Sequence, residues 1–94
     1  MKTIASLRQE IDQVHKELHA LLLRRRELTM AVWEIKQQEG QPFFNAARED
    51  QILQDFLNMD GKQGQDPQFD ELLKGVMSSV LREYEKYLRF HYDK

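Results

Sequence analysis

Cysteine is absent from the chain, so no disulfide framework braces it and no thiolate is available as a nucleophile or metal ligand. Proline is scarce, at Pro42 and Pro67 only, and the first glycine is Gly40. Nothing from Lys2 to Glu39 therefore carries the backbone penalty that breaks a helix. Long apolar runs are missing as well. No stretch approaches the about 20 residues that cross a bilayer, and the opening "MKTIASLRQEID" turns polar too soon for a secretory signal. An excess of one charge is also lacking, since 14 basic and 16 acidic residues leave a net charge of −2. Bulk attraction to nucleic acid or to a membrane surface is excluded on that ground. Arg24-Arg25-Arg26 is the only dense basic run, and Glu27 follows it directly, whereas a nucleic-acid footprint needs several clustered phosphate contacts. The expectation is a soluble cytoplasmic protein with one domain spanning residues 1–94.

Leucine, isoleucine and valine supply what is present. Ile4, Leu7, Ile11, Val14, Leu18, Leu21, Leu28, Val32 and Ile35 follow one another mostly by threes and fours, the spacing of a helix that packs along a heptad seam. Gly40 and Pro42 end it, giving a helix over about 3–40 that is about 55 Å long. A 94-residue monomer cannot easily cover such a rod, so a dimer sharing the long helices is expected. A second helix reads from about 46 to 59, with Asn45 as its N-cap and Ile52, Leu53, Phe56 and Leu57 on its apolar face. "DGKQGQDPQ", residues 60–68, is dense in turn formers and reads as a loop. A third helix follows over about 69–90. One of its stripes is Phe69, Leu73, Val76, Val80, Tyr87 and Phe90, and another is Met77, Leu81, Tyr84 and Leu88. The class is all-α, three helices per chain, in an intertwined homodimeric bundle.

Two charges fall in these apolar registers. The first seam, continued past Leu21 by four, lands on Arg25, and the third-helix stripe, continued past Val80 by three, lands on Glu83. Burying a charge is costly unless something compensates it. Either Arg25 and Glu83 pair with each other, or Arg25 snorkels outward along its stem, or both face a polar pocket that takes an anionic ligand. Lys36, eleven residues after Arg25, lies within about 20° of the same helix face and about 16 Å further along the axis. Two long cationic side chains leaning together across that gap suit a small dicarboxylate. Arg8 lies about 25 Å from Arg25 in the other direction, so it reaches such a ligand only from a partner chain. Arg48 and Glu49 open the second helix, and Ser79 shares a side of the third with Glu83. Taken singly, Arg48 and Glu49 are also ordinary first-turn charges, and Ser79 a small residue that permits close helix packing.

With these positions in view, "LRQEIDQVHKELHALLLRRRELTMAVWEIK", "GQPFFNAAREDQIL" and "MSSVLREYEKYL" together resemble the all-α (AroQ-type) chorismate mutases. The resemblance covers nearly the whole chain apart from residues 60–68. It implies an intertwined homodimer with two identical sites and the conversion of chorismate to prephenate, the branch step toward phenylalanine and tyrosine. By this resemblance Arg25 binds the enolpyruvyl carboxylate, and Arg8 of the partner subunit holds a substrate carboxylate from across the dimer. Lys36 contacts the side-chain carboxylate and the ether oxygen, Glu49 accepts the ring hydroxyl, and Arg48 lies beside it. Ser79 falls near the ring carboxylate, Glu83 at the ether oxygen, and Val32, Val76 and Val80 form apolar walls. Asn45 stands where an aspartate often helps hold the ring hydroxyl. Glu83 stands where bacterial members often carry glutamine and fungal members glutamate.

The chemistry fits this inventory. A unimolecular pericyclic rearrangement breaks one C–O bond as a C–C bond forms, and it needs no nucleophile, no metal and no cofactor. It needs a flexible dianion held in its compact conformer, and cationic or hydrogen-bonding groups where negative charge develops on the ether oxygen. Competing readings are an isochorismate-pyruvate lyase or an amino-deoxychorismate mutase on the same fold, and, in a different class, a non-enzymatic helical homodimer serving as an interaction module. His15 and His19 form H-x-E-x-H, not the H-E-x-x-H of zinc proteases, and read as solvated helix-flank residues. Trp33, Tyr84 and Tyr87 read as packing residues.

Overall fold

A computed structural model describes residues 1–92, and these contain three helices: α1 (Ile4–Glu39), α2 (Ala46–Leu57) and α3 (Pro67–Tyr92). The protein is all-α. The chain forms two compact units, Met1–Ile35 and Lys36–Lys94.

The first unit is helical from Ile4 onward. Thr3 and Ser6 cap each other there: the Thr3 backbone N–H donates to Ser6 Oγ at 2.9 Å, and the Ser6 N–H donates to Thr3 Oγ1 at 3.1 Å. Two amide donors that the helix start leaves over are thereby satisfied. With 36 residues, α1 is about 54 Å long. Its seam is largely open to solvent, with exposures running from 42% at Leu7 to 70% at Ile4 and including Leu18 at 50% and Leu21 at 63%. Trp33 alone is buried in this unit. The heptad pattern specifies a packing face, and a single chain leaves that face open.

In the second unit α2 and α3 pack together. Ile52, Leu53, Phe56 and Leu57 of α2 are half-buried or buried, as are Leu73, Met77, Leu81, Tyr84 and Leu88 of α3. Leu88, at 2% exposure, is the most enclosed of them. The other α3 stripe remains partly outside, with Phe69, Val76 and Phe90 exposed. Both helices differ at their ends from the sequence expectation. The last residue of α2 is Leu57, because Asn58 serves as C-cap and its N–H returns to Gln54 O at 3.2 Å. α3 starts at Pro67, two residues before Phe69. Asp66 is its N-cap, Oδ1 accepting the Phe69 N–H at 3.1 Å, and proline suits the first helical position because its missing N–H would be unpaired there anyway. The intervening loop turns on Gly61 (φ 69°) and Gly64 (φ 90°), and the Gly64 N–H donates to Asp70 Oδ2 at 2.7 Å.

Candidate active site

In the first unit α1 carries Arg8, Arg25 and Val32. Arg8 is exposed, and Val32 is 48% exposed. Arg25 is half-buried, and its Nη1 is shielded from solvent. Four residues on, Thr29 Oγ1 donates to the Arg25 carbonyl at 2.7 Å, a side-chain bond to the preceding turn that competes with regular helix hydrogen bonding. The guanidinium is thus partly withdrawn from water in an otherwise apolar register.

The remaining positions belong to the second unit. Lys36 sits in the last turn of α1, where the chain closes into a left-handed glycine cap. The Gly40 N–H donates to Gln37 O at 3.3 Å and the Gln41 N–H to Lys36 O at 2.8 Å, with Gly40 at φ 70°. That turn brings the following segment back over the helix end, so that Lys36 Nζ donates to the Phe43 carbonyl at 3.2 Å. One of the three ammonium donors is thus committed to a neutral acceptor, and two remain for a ligand. Lys36 itself is half-buried.

Asn45 then starts α2 with its backbone extended (φ −137°, ψ 101°), and Oδ1 accepts the Arg48 N–H at 3.1 Å. The Asn45 carbonyl accepts the Glu49 N–H at 3.1 Å. Asn45, Arg48 and Glu49 are therefore held in one turn by one cap, a device that contributes roughly 1 kcal/mol. With Oδ1 accepting in the cap, Nδ2 is the donor end of the Asn45 side chain. Glu49 is half-buried, and Arg48 is exposed.

On α3, Val76, Ser79, Val80 and Glu83 fall at helical steps of three, one and three and share a side. Ser79 and Val80 are half-buried, while Val76 is 49% exposed. The Glu83 side chain is 60% exposed and lies 3.4 Å from Lys86 Nζ and 3.6 Å from Arg82 Nε. Its ion-pair partners come from its own helix. The burial implied by the apolar register of Glu83 is not observed, and Val76 on the same side of α3 is exposed as well.

Sequence reasoning missed the Phe43 carbonyl. A backbone acceptor has no residue signature, and the available signal was Gly40 and Pro42 directing the chain back over the helix. His15 and His19 are exposed on α1. Among the described residues no group of three or more His, Asp or Glu is placed to hold a metal ion, and no helix is long and apolar enough to cross a membrane.

The elements define an all-α protein whose helices carry arginine, lysine and glutamate at polar positions within apolar faces, a donor set suited to a small anion. Residues 7–86 match the family model described as chorismate mutase type II, and the chain belongs to that family. Its activity is accordingly that of an isomerase acting on chorismate to give prephenate, in aromatic amino acid biosynthesis. Comparison with curated proteins and with solved structures gives no match.

Proposed function

We propose that the rearrangement takes place in an intertwined cytoplasmic homodimer in which each site draws on both chains. Arg25 binds the enolpyruvyl carboxylate, and Arg8 of the partner subunit holds a substrate carboxylate. Lys36 spans the side-chain carboxylate and the ether oxygen. Asn45, Arg48 and Glu49 receive the ring hydroxyl, with Glu49 accepting its proton in a hydrogen bond. Ser79 lies near the ring carboxylate, and Val32, Val76 and Val80 close the apolar walls. Arg25 carries this reading: its guanidinium stands in the apolar register of the α1 seam, half-buried with Nη1 shielded, a placement that suits a site for an anion. A substrate dianion bound by its carboxylates is held in the folded conformer in which the reacting carbons approach.

No bond to the protein forms. As the C–O bond lengthens, negative charge gathers on the ether oxygen, and donors already aimed there stabilise it without reorganising. Lys36 provides one such donor. Glu83 provides the other only when protonated, since an ionised carboxylate has no hydrogen to give. Glu83→Gln, whose amide always carries a hydrogen to donate, is expected to retain kcat, whereas Glu83→Ala should lower it by about 10²-fold. Full kcat in the alanine variant removes Glu83 from the mechanism.

The test of the whole reading is an NMR time course of the protein with chorismate, beside a second tube with isochorismate. Prephenate forming from chorismate well above the uncatalysed rate is expected. Pyruvate released from isochorismate, with little prephenate in the first tube, would assign the site to lyase chemistry. Inactivity in both would favour a helical interaction module, for which Arg25→Ala should leave function intact.

A further inference from the structure

The segment from Gly40 to Asn45 is pinned at its ends by two caps. At the first, the Lys36 and Gln37 carbonyls accept from Gln41 and Gly40; at the second, Asn45 holds the Arg48 amide. Between them stands Phe43, half-buried, whose carbonyl accepts from Lys36 Nζ at 3.2 Å. The ring of Phe43 stacks on that of Tyr92, with centroids 6.1 Å apart and planes inclined by 30°. Tyr92 is half-buried in the last turn of α3, beyond every residue of that helix assigned to the substrate. The contact links the end of α3 to the backbone atom that receives the ammonium of Lys36. All three residues lie within the second unit.

We infer that Tyr92 is a positioning residue for Lys36: its ring fixes Phe43, and the Phe43 carbonyl fixes the ammonium. The inference rests on the assignment of Lys36 to the substrate. The physical argument is one of preorganisation. A lysine has a long, flexible stem, and an ammonium that must first be collected from many rotamers contributes less to the transition state than one already held. The carbonyl is a neutral acceptor, so it orients Lys36 without cancelling its charge. The carbonyl is itself useful only while the loop around Phe43 keeps one conformation. Ring stacking of this kind is worth enough to shift that conformational balance by about threefold to tenfold. Stacking is a property of the ring, so phenylalanine keeps the contact that holds Phe43.

The experiment compares Tyr92→Ala, Tyr92→Leu and Tyr92→Phe in the full chain with two readouts. The first is steady-state turnover of chorismate. Tyr92→Ala and Tyr92→Leu should lower kcat about threefold to tenfold, with a smaller effect on KM, and Tyr92→Phe should restore the parent value. The second does not depend on activity: the rate at which an amine-acylating reagent labels Lys36, read by mass spectrometry against Lys16, Lys74 and Lys86 of the same chain. Release from the Phe43 carbonyl should raise Lys36 labelling selectively in the alanine and leucine variants and leave Tyr92→Phe unchanged. The leucine variant preserves apolar bulk where alanine fails to fold. Lys36 labelling that stays at the parent rate in a folded Tyr92→Leu overturns the inference, whatever happens to kcat. Uniform acceleration at all four lysines also overturns it, by showing general loosening. Lys36→Ala is the separate control: full activity in that variant removes Lys36 from the site, while the labelling result still decides whether Tyr92 positions it.

Discussion

Chains carrying Arg8→Ala and chains carrying Arg25→Ala should each lose about 10²–10³-fold in activity when assayed alone, and regain much of it when mixed. The loss follows from removing a preorganised cation that meets substrate charge in a site partly withdrawn from water. The recovery follows from symmetry. In a mixed dimer, the site built on the Arg8→Ala chain keeps its own Arg25 and receives Arg8 of the partner subunit, so it is intact. The second site of the same dimer lacks both. Random exchange makes about half of the dimers mixed, each with one working site of two, so activity should return to about a quarter of the parent level. Mixtures that stay as inactive as their components would show that Arg8 and Arg25 act from the same chain or that the chains do not pair. Full activity in Arg8→Ala alone would remove Arg8 from the substrate.

A single aspartate in the α1 seam should be equally damaging, although it touches no proposed substrate group. In the proposed dimer, Leu18→Asp is expected to shift the mass from two chains to one by light scattering and to abolish chorismate turnover with it. Ile4, Leu7, Ile11, Val14, Leu18, Leu21, Leu28, Val32 and Ile35 are all exposed in the isolated chain. Covering the remaining half of such side chains on two helices returns on the order of 10–20 kcal/mol, comparable to or above the roughly 4–15 kcal/mol that association costs. One buried carboxylate without a partner removes several kcal/mol of that surplus. Gln37→Asp, at an exposed position off the seam, is the matched control and should leave the mass unchanged. A Leu18→Asp protein that remains dimeric and active would place the interface elsewhere.

Helix positions were legible in the sequence because their determinants are local. The absence of glycine and proline before Gly40 allows α1 to run unbroken, and Gly40 reaches the φ of 70° that closes it. Asn45 was identifiable as a cap because its oxygen need reach only three residues along the chain. The start of α3 was placed two residues late because Asp66-Pro67 reads equally as a turn and as an N-cap followed by the first helical residue. Only the hydrogen bond from Phe69 to Asp66 separates the two.

The sequence by itself determined the all-α class, the apolar stripes and the placement of Arg25 and Glu83 within them. All of these depend on a period of 3.6 residues, which requires no knowledge of where the chain goes next. Tertiary structure decided the rest. It chose Met77, Leu81, Tyr84 and Leu88 as the α3 stripe enclosed within one chain, and left Val76 and Phe90 outside. It turned the Glu83 carboxylate toward Arg82 and Lys86, and set the Phe43 carbonyl against Lys36 with Tyr92 against the Phe43 ring. Such pairings depend on the path of the backbone through turns and on which rotamers the packing permits. A linear pattern of side chains encodes neither a carbonyl's direction nor the meeting of two rings separated along the chain by two helices.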